Sequence, residues 1–217
     1  MRKNQFVILD QKSKHAIVKS AAAFYAPIYY GKGLRFTDGT DVELMKHVSN
    51  LYAVDETSGL FLGSGWLPPR IPLYLSIRKT GQRRERINFY KSPDGTVTAL
   101  NGFADTIELL FYTDENGRTY KAEKIAPGTR LTMRQCSFNK QKNLIQRINQ
   151  ITLEQIAGQA DIPLKDSYIG ELKHALIPSS YIALINSAPF LDNSISGAKI
   201  KKTRTFIAGI NAETVKR

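Results

Sequence analysis

The stretch Ile71-Pro72-Leu73-Tyr74-Leu75-Ser76-Ile77-Arg78 alternates apolar with mixed side chains at a period of two. That is the period of a β-strand with one buried face. Working outward, residues 86–90 read as its partner strand, with 80–84 as the connection. Pro93-Asp94-Gly95 is a turn before a short strand at 96–100. Segments 106–113 and 118–125 flank Asp114-Glu115-Asn116-Gly117, the clearest hairpin signal in the chain, and Pro127-Gly128 turns into 129–133. Strands at this spacing predict a meander, small barrel or sandwich over 71–133.

The pattern changes on both sides. Leu144, Ile145, Ile148 and Ile151 form a stripe at helical spacing. Thr152 and Gln155 make a capping box that opens a second helix, and 164–175 follows Pro163 as a third. Segments 181–185 and 203–207 read as closing strands, and 4–9 as an opening one. Ala21-Ala22-Ala23 within 13–26 predicts the beginning of a helix that Pro27 stops. Val42, Met45, Val48 and Tyr52 predict a helix over 41–52. The Gly- and Pro-rich stretch 59–72 around Trp66 reads as a boundary or long loop. The fold class expected is α+β, a single domain over 1–217. It has a β-rich, meander- or barrel-like core at 71–133, a small helical lobe near 139–176 and closing C-terminal strands.

The 217 residues carry 31 Lys and Arg against 19 Asp and Glu, a net charge of +12. With 42% apolar residues, the chain can enclose a core and is not disordered throughout. No apolar run approaches the roughly 18 residues of a membrane-spanning helix. The four apolar residues after the basic start are too few for a signal-peptide core. The single cysteine, Cys136, excludes an internal disulfide. The expectation is a cytoplasmic protein without membrane partners. Charge is blocked along the chain: +6 over 1–37, −4 over 38–69, +6 over 70–92, −4 over 93–123, +6 over 124–150, −3 over 151–198 and +5 over 199–217. Such blocks predict either a positive surface for polyanions or complementary patches on neighbouring copies.

Three basic patches are candidates for nucleic-acid contact. The densest comprises Arg78, Lys79, Arg83, Arg84 and Arg86 on an expected hairpin connection, where Arg can pair phosphate oxygens through two N–H groups. Tyr74, Phe89 and Tyr90 lie near it in sequence as stacking candidates. The second is the acid-free face of the 139–150 helix, with Lys140, Lys142 and Arg147 among Asn and Gln. The third is Lys199, Lys201, Lys202 and Arg204, which also suits an edge strand that blocks unwanted pairing.

Catalytic signals are thin. Gly31-Lys32-Gly33 lacks the rest of a phosphate-loop pattern, and Gly63-Ser64-Gly65 lacks the spacing of a nucleophile elbow. His15, His47 and His174 have no second ligand at metal spacing, and Cys136 has no evident base beyond its neighbour Arg134. Asp94 with Glu171 and Lys173 follows the order of acids and Lys in metal-dependent nucleases at too long a separation. Residues 153–169 superficially match a helix-turn-helix, but carry Asp161 at the turn and Asp166 and Glu171 on the would-be recognition helix. No cofactor or metal is expected. The leading expectation is a non-enzymatic protein that binds nucleic acid mainly through the phosphate backbone, single-stranded or RNA, within a ribonucleoprotein. The alternative is a structural subunit of a larger assembly, such as a viral particle, tail or secretion apparatus. Its partners would be other subunits, copies of itself included.

Overall fold

A computed structural model describes residues 2–28, 33–37, 39–44, 54–55, 61–63, 65–136, 177–187, 189–190, 202–211 and 215–216. Strands occupy 60% and helices none of it, so the described fold is strand-rich and the α+β expectation is corrected. The expected lobe at 139–176 falls outside the described residues. No described helix is long and apolar enough to cross a membrane. The chain separates into two compact units, 1–84 with 185–206, and 85–184 with 207–217.

The first unit is built on β1 (Arg2–Asp10), β2 (His15–Phe24), β7 (Leu73–Gln82) and β4 (Thr40–Leu44), adjacent in that order and antiparallel. The opening of β15 (Lys202–Ile210) lies beside β1. β3 (Leu34–Arg35), β6 (Phe61–Leu62) and β5 (Val54–Asp55) make a separate small sheet. The alanine run expected to start a helix lies inside β2, where Ala21 and Ala22 are buried. Helix propensity is a weak preference, and a ladder with neighbours on both sides overrides it. Thr40–Leu44, expected as the start of a helix, is strand β4; the rest of that helix lies outside the described residues or is interrupted by β5.

Register fixes which side chains go in. Val7 and Leu9 lie opposite Val18 and Ala16, and Ala22 and Phe24 lie opposite Leu75 and Leu73, all buried. Each fully buried Leu or Phe contributes roughly 1.5–3 kcal/mol. Trp66, expected in a boundary loop, is instead 1% exposed and meets Phe24 edge-on, with ring centroids 5.2 Å apart. A buried polar contact closes this layer, Thr205 Oγ1 lying 3.1 Å from Gln5 Oε1 and 2.5 Å from the Ser187 carbonyl.

The second unit holds β8 (Ile87–Lys91), β9 (Val97–Asn101), β10 (Ile107–Thr113), β11 (Thr119–Ile125), β12 (Arg130–Thr132), β13 (Arg134–Cys136), β14 (Ser180–Ile185) and β16 (Val215–Lys216). β12, β9, β8 and β16 form one sheet in that order; β13, β11, β10 and β14, followed by the end of β15, are adjacent in another. The strands read from the sequence across 86–133, at 181–185 and at 203–207 are all present, with ends shifted by one to three residues. Asn101 secures the end of β9: its Nδ2 donates to the Asp105 and Ile125 carbonyls, and its Oδ1 accepts from the Phe103 N–H.

The predicted hairpin forms between β10 and β11, with Gly117 at φ 75°. Asp114, 1% exposed, organises it by accepting the N–H groups of Asn116 and Arg118 and pairing with Lys91 Nζ at 3.1 Å. Burial pushes the Asp114 carboxyl up, but the Arg118 N–H, the Lys91 ammonium and the Asn116 N–H outweigh it and hold the carboxyl below its ordinary 3.8. Lys91 is raised, first by its hydrogen bond to Asp114. A depressed carboxyl stabilises the fold above its unfolded pKa, and that contribution is lost as pH falls through the folded value. The raised Lys91 acts oppositely: its contribution is present below 10.5 and is lost as pH rises through the folded value.

Asp114→Ala is expected to cost about 3 kcal/mol near neutral pH. The gap from the unsubstituted protein should narrow as pH falls below the ordinary carboxylate value; denaturant melts over a pH series measure it. A second expectation concerns Tyr181, fully buried, whose hydroxyl has no hydrogen-bond partner and whose ring lies where any Cβ on Gly209 would fall. Tyr181→Phe removes an unsatisfied polar group and should be neutral or stabilising by up to about 1 kcal/mol. Gly209→Ala should destabilise by at least about 2 kcal/mol through overpacking. Thermal melts separate the two substitutions.

Candidate nucleic-acid interface

The densest basic patch does not sit on a hairpin connection, because β7 continues through 80–82. Arg78 is exposed and lies opposite Lys19 on one side and Asp41 on the other. Lys79 is half-buried and donates through Nζ to Thr37 Oγ1 at 2.6 Å. Arg83 is a packing residue: its Nη2 donates to the Phe190 carbonyl at 2.6 Å, with its guanidinium 5.5 Å from the Phe190 ring centroid. Its backbone N–H also donates to the Lys14 carbonyl at 2.7 Å. Arg84 is exposed at the end of the first unit, and Arg86 belongs to the second. Lys140, Lys142, Arg147, Lys199 and Lys201 lie outside the described residues. Lys202 begins β15, and Arg204 is half-buried within it.

The stacking candidates part company for a simple reason. Adjacent residues of a strand point to opposite faces. Phe89 is fully buried and stacked on Tyr112, centroids 3.9 Å apart and planes at 14°, so it is core and has no face to offer a base. Tyr74 is half-buried on β7 opposite Ala23. Tyr90 is half-exposed on β8, and the guanidinium carbon of Arg130 lies 4.2 Å from its ring centroid.

Around that pair the sheet presents an open polar face. Asn88, Leu100 and Arg130 are in register across β8, β9 and β12, as are Tyr90, Thr98 and Thr132. All six are half-exposed or exposed, and none is acidic. Arg86, two residues before Asn88, is exposed where its carbonyl accepts the Gly102 N–H at 3.0 Å. A Cβ on Gly102 would lie 2.6 Å from that carbonyl, so glycine is what lets the two strands close there. The nearby turn acid, Asp94, is engaged by the Thr96 N–H and hydroxyl, which hold its carboxyl below the ordinary value. Lys91 points to the other face, toward Asp114.

Chemically, a guanidinium lying on a tyrosine ring is a flat cationic platform. It suits bases through stacking and phosphates through its N–H groups, while Asn88 and the two threonines add donors and acceptors. Sequence reading missed Arg130 because its aromatic partner lies forty residues away and only the β8–β9–β12 register joins them. The alternation within 129–133 was the one available signal, since it separates Arg130 and Thr132 from the core-facing positions.

Arg83→Ala is expected to lower stability by about 1.5–3 kcal/mol, the range for a hydrogen bond to a charged group. Chemical denaturation reads it. The chain has no match among protein-family models, curated proteins or solved structures.

Proposed function

We propose that this protein binds single-stranded nucleic acid, RNA foremost, without catalysing a reaction, and does so on the open face of the β12–β9–β8 sheet. The observation that carries this reading is Arg130 laid over Tyr90 on a half-exposed sheet face, with Arg86 at its edge and no acid among the face positions. Arg86 and Arg130 contact phosphates, a base stacks on the Tyr90–Arg130 platform, and the hydroxyls of Thr98 and Thr132 reach sugar or base edges. A cytoplasmic ribonucleoprotein is the setting such a surface fits. The net charge of +12 supplies long-range attraction to a polyanion.

A second reading, a subunit of a larger assembly, is favoured by an apolar tip on the first unit. Tyr25, Ile28 and Ile71 are 58%, 75% and 51% exposed there, and the Arg70 N–H donates to the Ala26 carbonyl at 2.7 Å between the two chain segments.

Fluorescence anisotropy with a labelled single-stranded RNA tests the first reading. Tyr90→Ala should weaken binding about tenfold, the scale of one stacked base. Arg130→Ala and Arg86→Ala should each reduce the slope of log affinity against log salt by about 0.7. Unchanged affinity and slope in all three variants would remove this face as the binding site.

A further inference from the structure

We propose that copies of this chain associate head to tail, the β4 edge of one copy adding in parallel to the β12 edge of the next. This does not depend on the nucleic-acid reading. β4 is outermost in its sheet and β12 outermost in the four-stranded sheet, so among the described residues each has one side without a strand neighbour.

Backbone alternation determines which groups those open sides present. The Arg83 N–H donates to the Lys14 carbonyl at the end of the β2–β7 ladder, so odd-numbered residues of β7 bond toward β2 and even-numbered ones toward β4. Their partners on β4 are Asp41, opposite Arg78, and Glu43, opposite Ser76. Thr40, Val42 and Leu44 therefore carry their N–H and C=O groups on the open side. On β12, the Thr129 carbonyl accepts from the Asn101 N–H and the Met133 N–H donates to the Val97 carbonyl. Arg130 and Thr132 therefore bond outward.

The side chains then choose the direction. In a parallel pairing, the Val42 N–H donates to the Arg130 carbonyl and the Thr132 N–H donates to the Val42 carbonyl. That places Asp41 beside Arg130, Val42 beside Leu131, Glu43 beside Thr132 and Leu44 beside Met133. Acid meets base on one face. On the other, Leu44 and Leu131, each 39% exposed, gain apolar neighbours. An antiparallel pairing with the same open groups would set Leu44 against Arg130 and Glu43 against Leu131. The charges also agree in bulk, because β4 lies in a −4 segment and β12 in a +6 segment. A contact between two different edges is heterologous, so it propagates into open chains or rings and does not stop at a dimer.

Sedimentation velocity on nucleic-acid-free protein across a concentration series tests this without touching the RNA reading. The average mass should climb above the 24.4 kDa of one chain, in more than one step. Asp41→Arg/Glu43→Lys and Arg130→Asp/Thr132→Glu should each lose association alone, because like charges then face each other. Their equimolar mixture should regain it, which also establishes that both variants fold. A wild type that stays at one chain mass, double variants that associate like wild type, or a mixture that stays dissociated would each overturn the proposal.

Discussion

Phe89 and Tyr90 are consecutive residues with opposite fates, and the constraint that separates them organises the whole second unit. A strand turns successive side chains to opposite faces, so one aromatic stacks on Tyr112 in the core while the next lies under Arg130 at the surface. The same alternation aims Lys91 at Asp114 and leaves Asn88, Thr98 and Thr132 on the open side. Slipping β8 by one residue would bury Tyr90 with its hydroxyl and expose Phe89, so the core stack and the outer face are secured by one register.

The cations of this chain serve different purposes despite their similar sequence surroundings. Arg83 and Lys79 satisfy a carbonyl and a hydroxyl of their own unit, and Lys91 neutralises a buried carboxylate. Arg86 and Arg130 remain on an exposed face. A net charge of +12 therefore overstates what is available to a partner. A long stem lets Lys or Arg lie along apolar surface while its head reaches a polar group, so proximity to other cations in sequence does not place it on the surface.

The alternating charge blocks also acquire a structural meaning. The acid-bearing strand β4 and the cation-bearing strand β12 both end sheets, where charge commonly blocks unwanted pairing between like edges. Asp41 and Glu43 repel a second β4 and attract a strand carrying Arg. Charge at an edge thus acts as a filter on which edge it accepts.

The strands of 71–133, the Asp114–Gly117 hairpin and the two closing strands were legible in the sequence because period-two alternation and turn residues are local properties. Ala21–Ala23 and Val42 misled for the complementary reason. Local preference favours or permits helix there, whereas pairing with distant strands decides the outcome. The sequence by itself determined the strand-rich middle, the basic balance and Tyr90 as a stacking candidate. Only the tertiary structure decided that Phe89 is core, that Arg83 is a packing residue and that Arg130 meets Tyr90. Which side chains share a face depends on register between strands far apart in the chain, and register is a property of the assembled sheet.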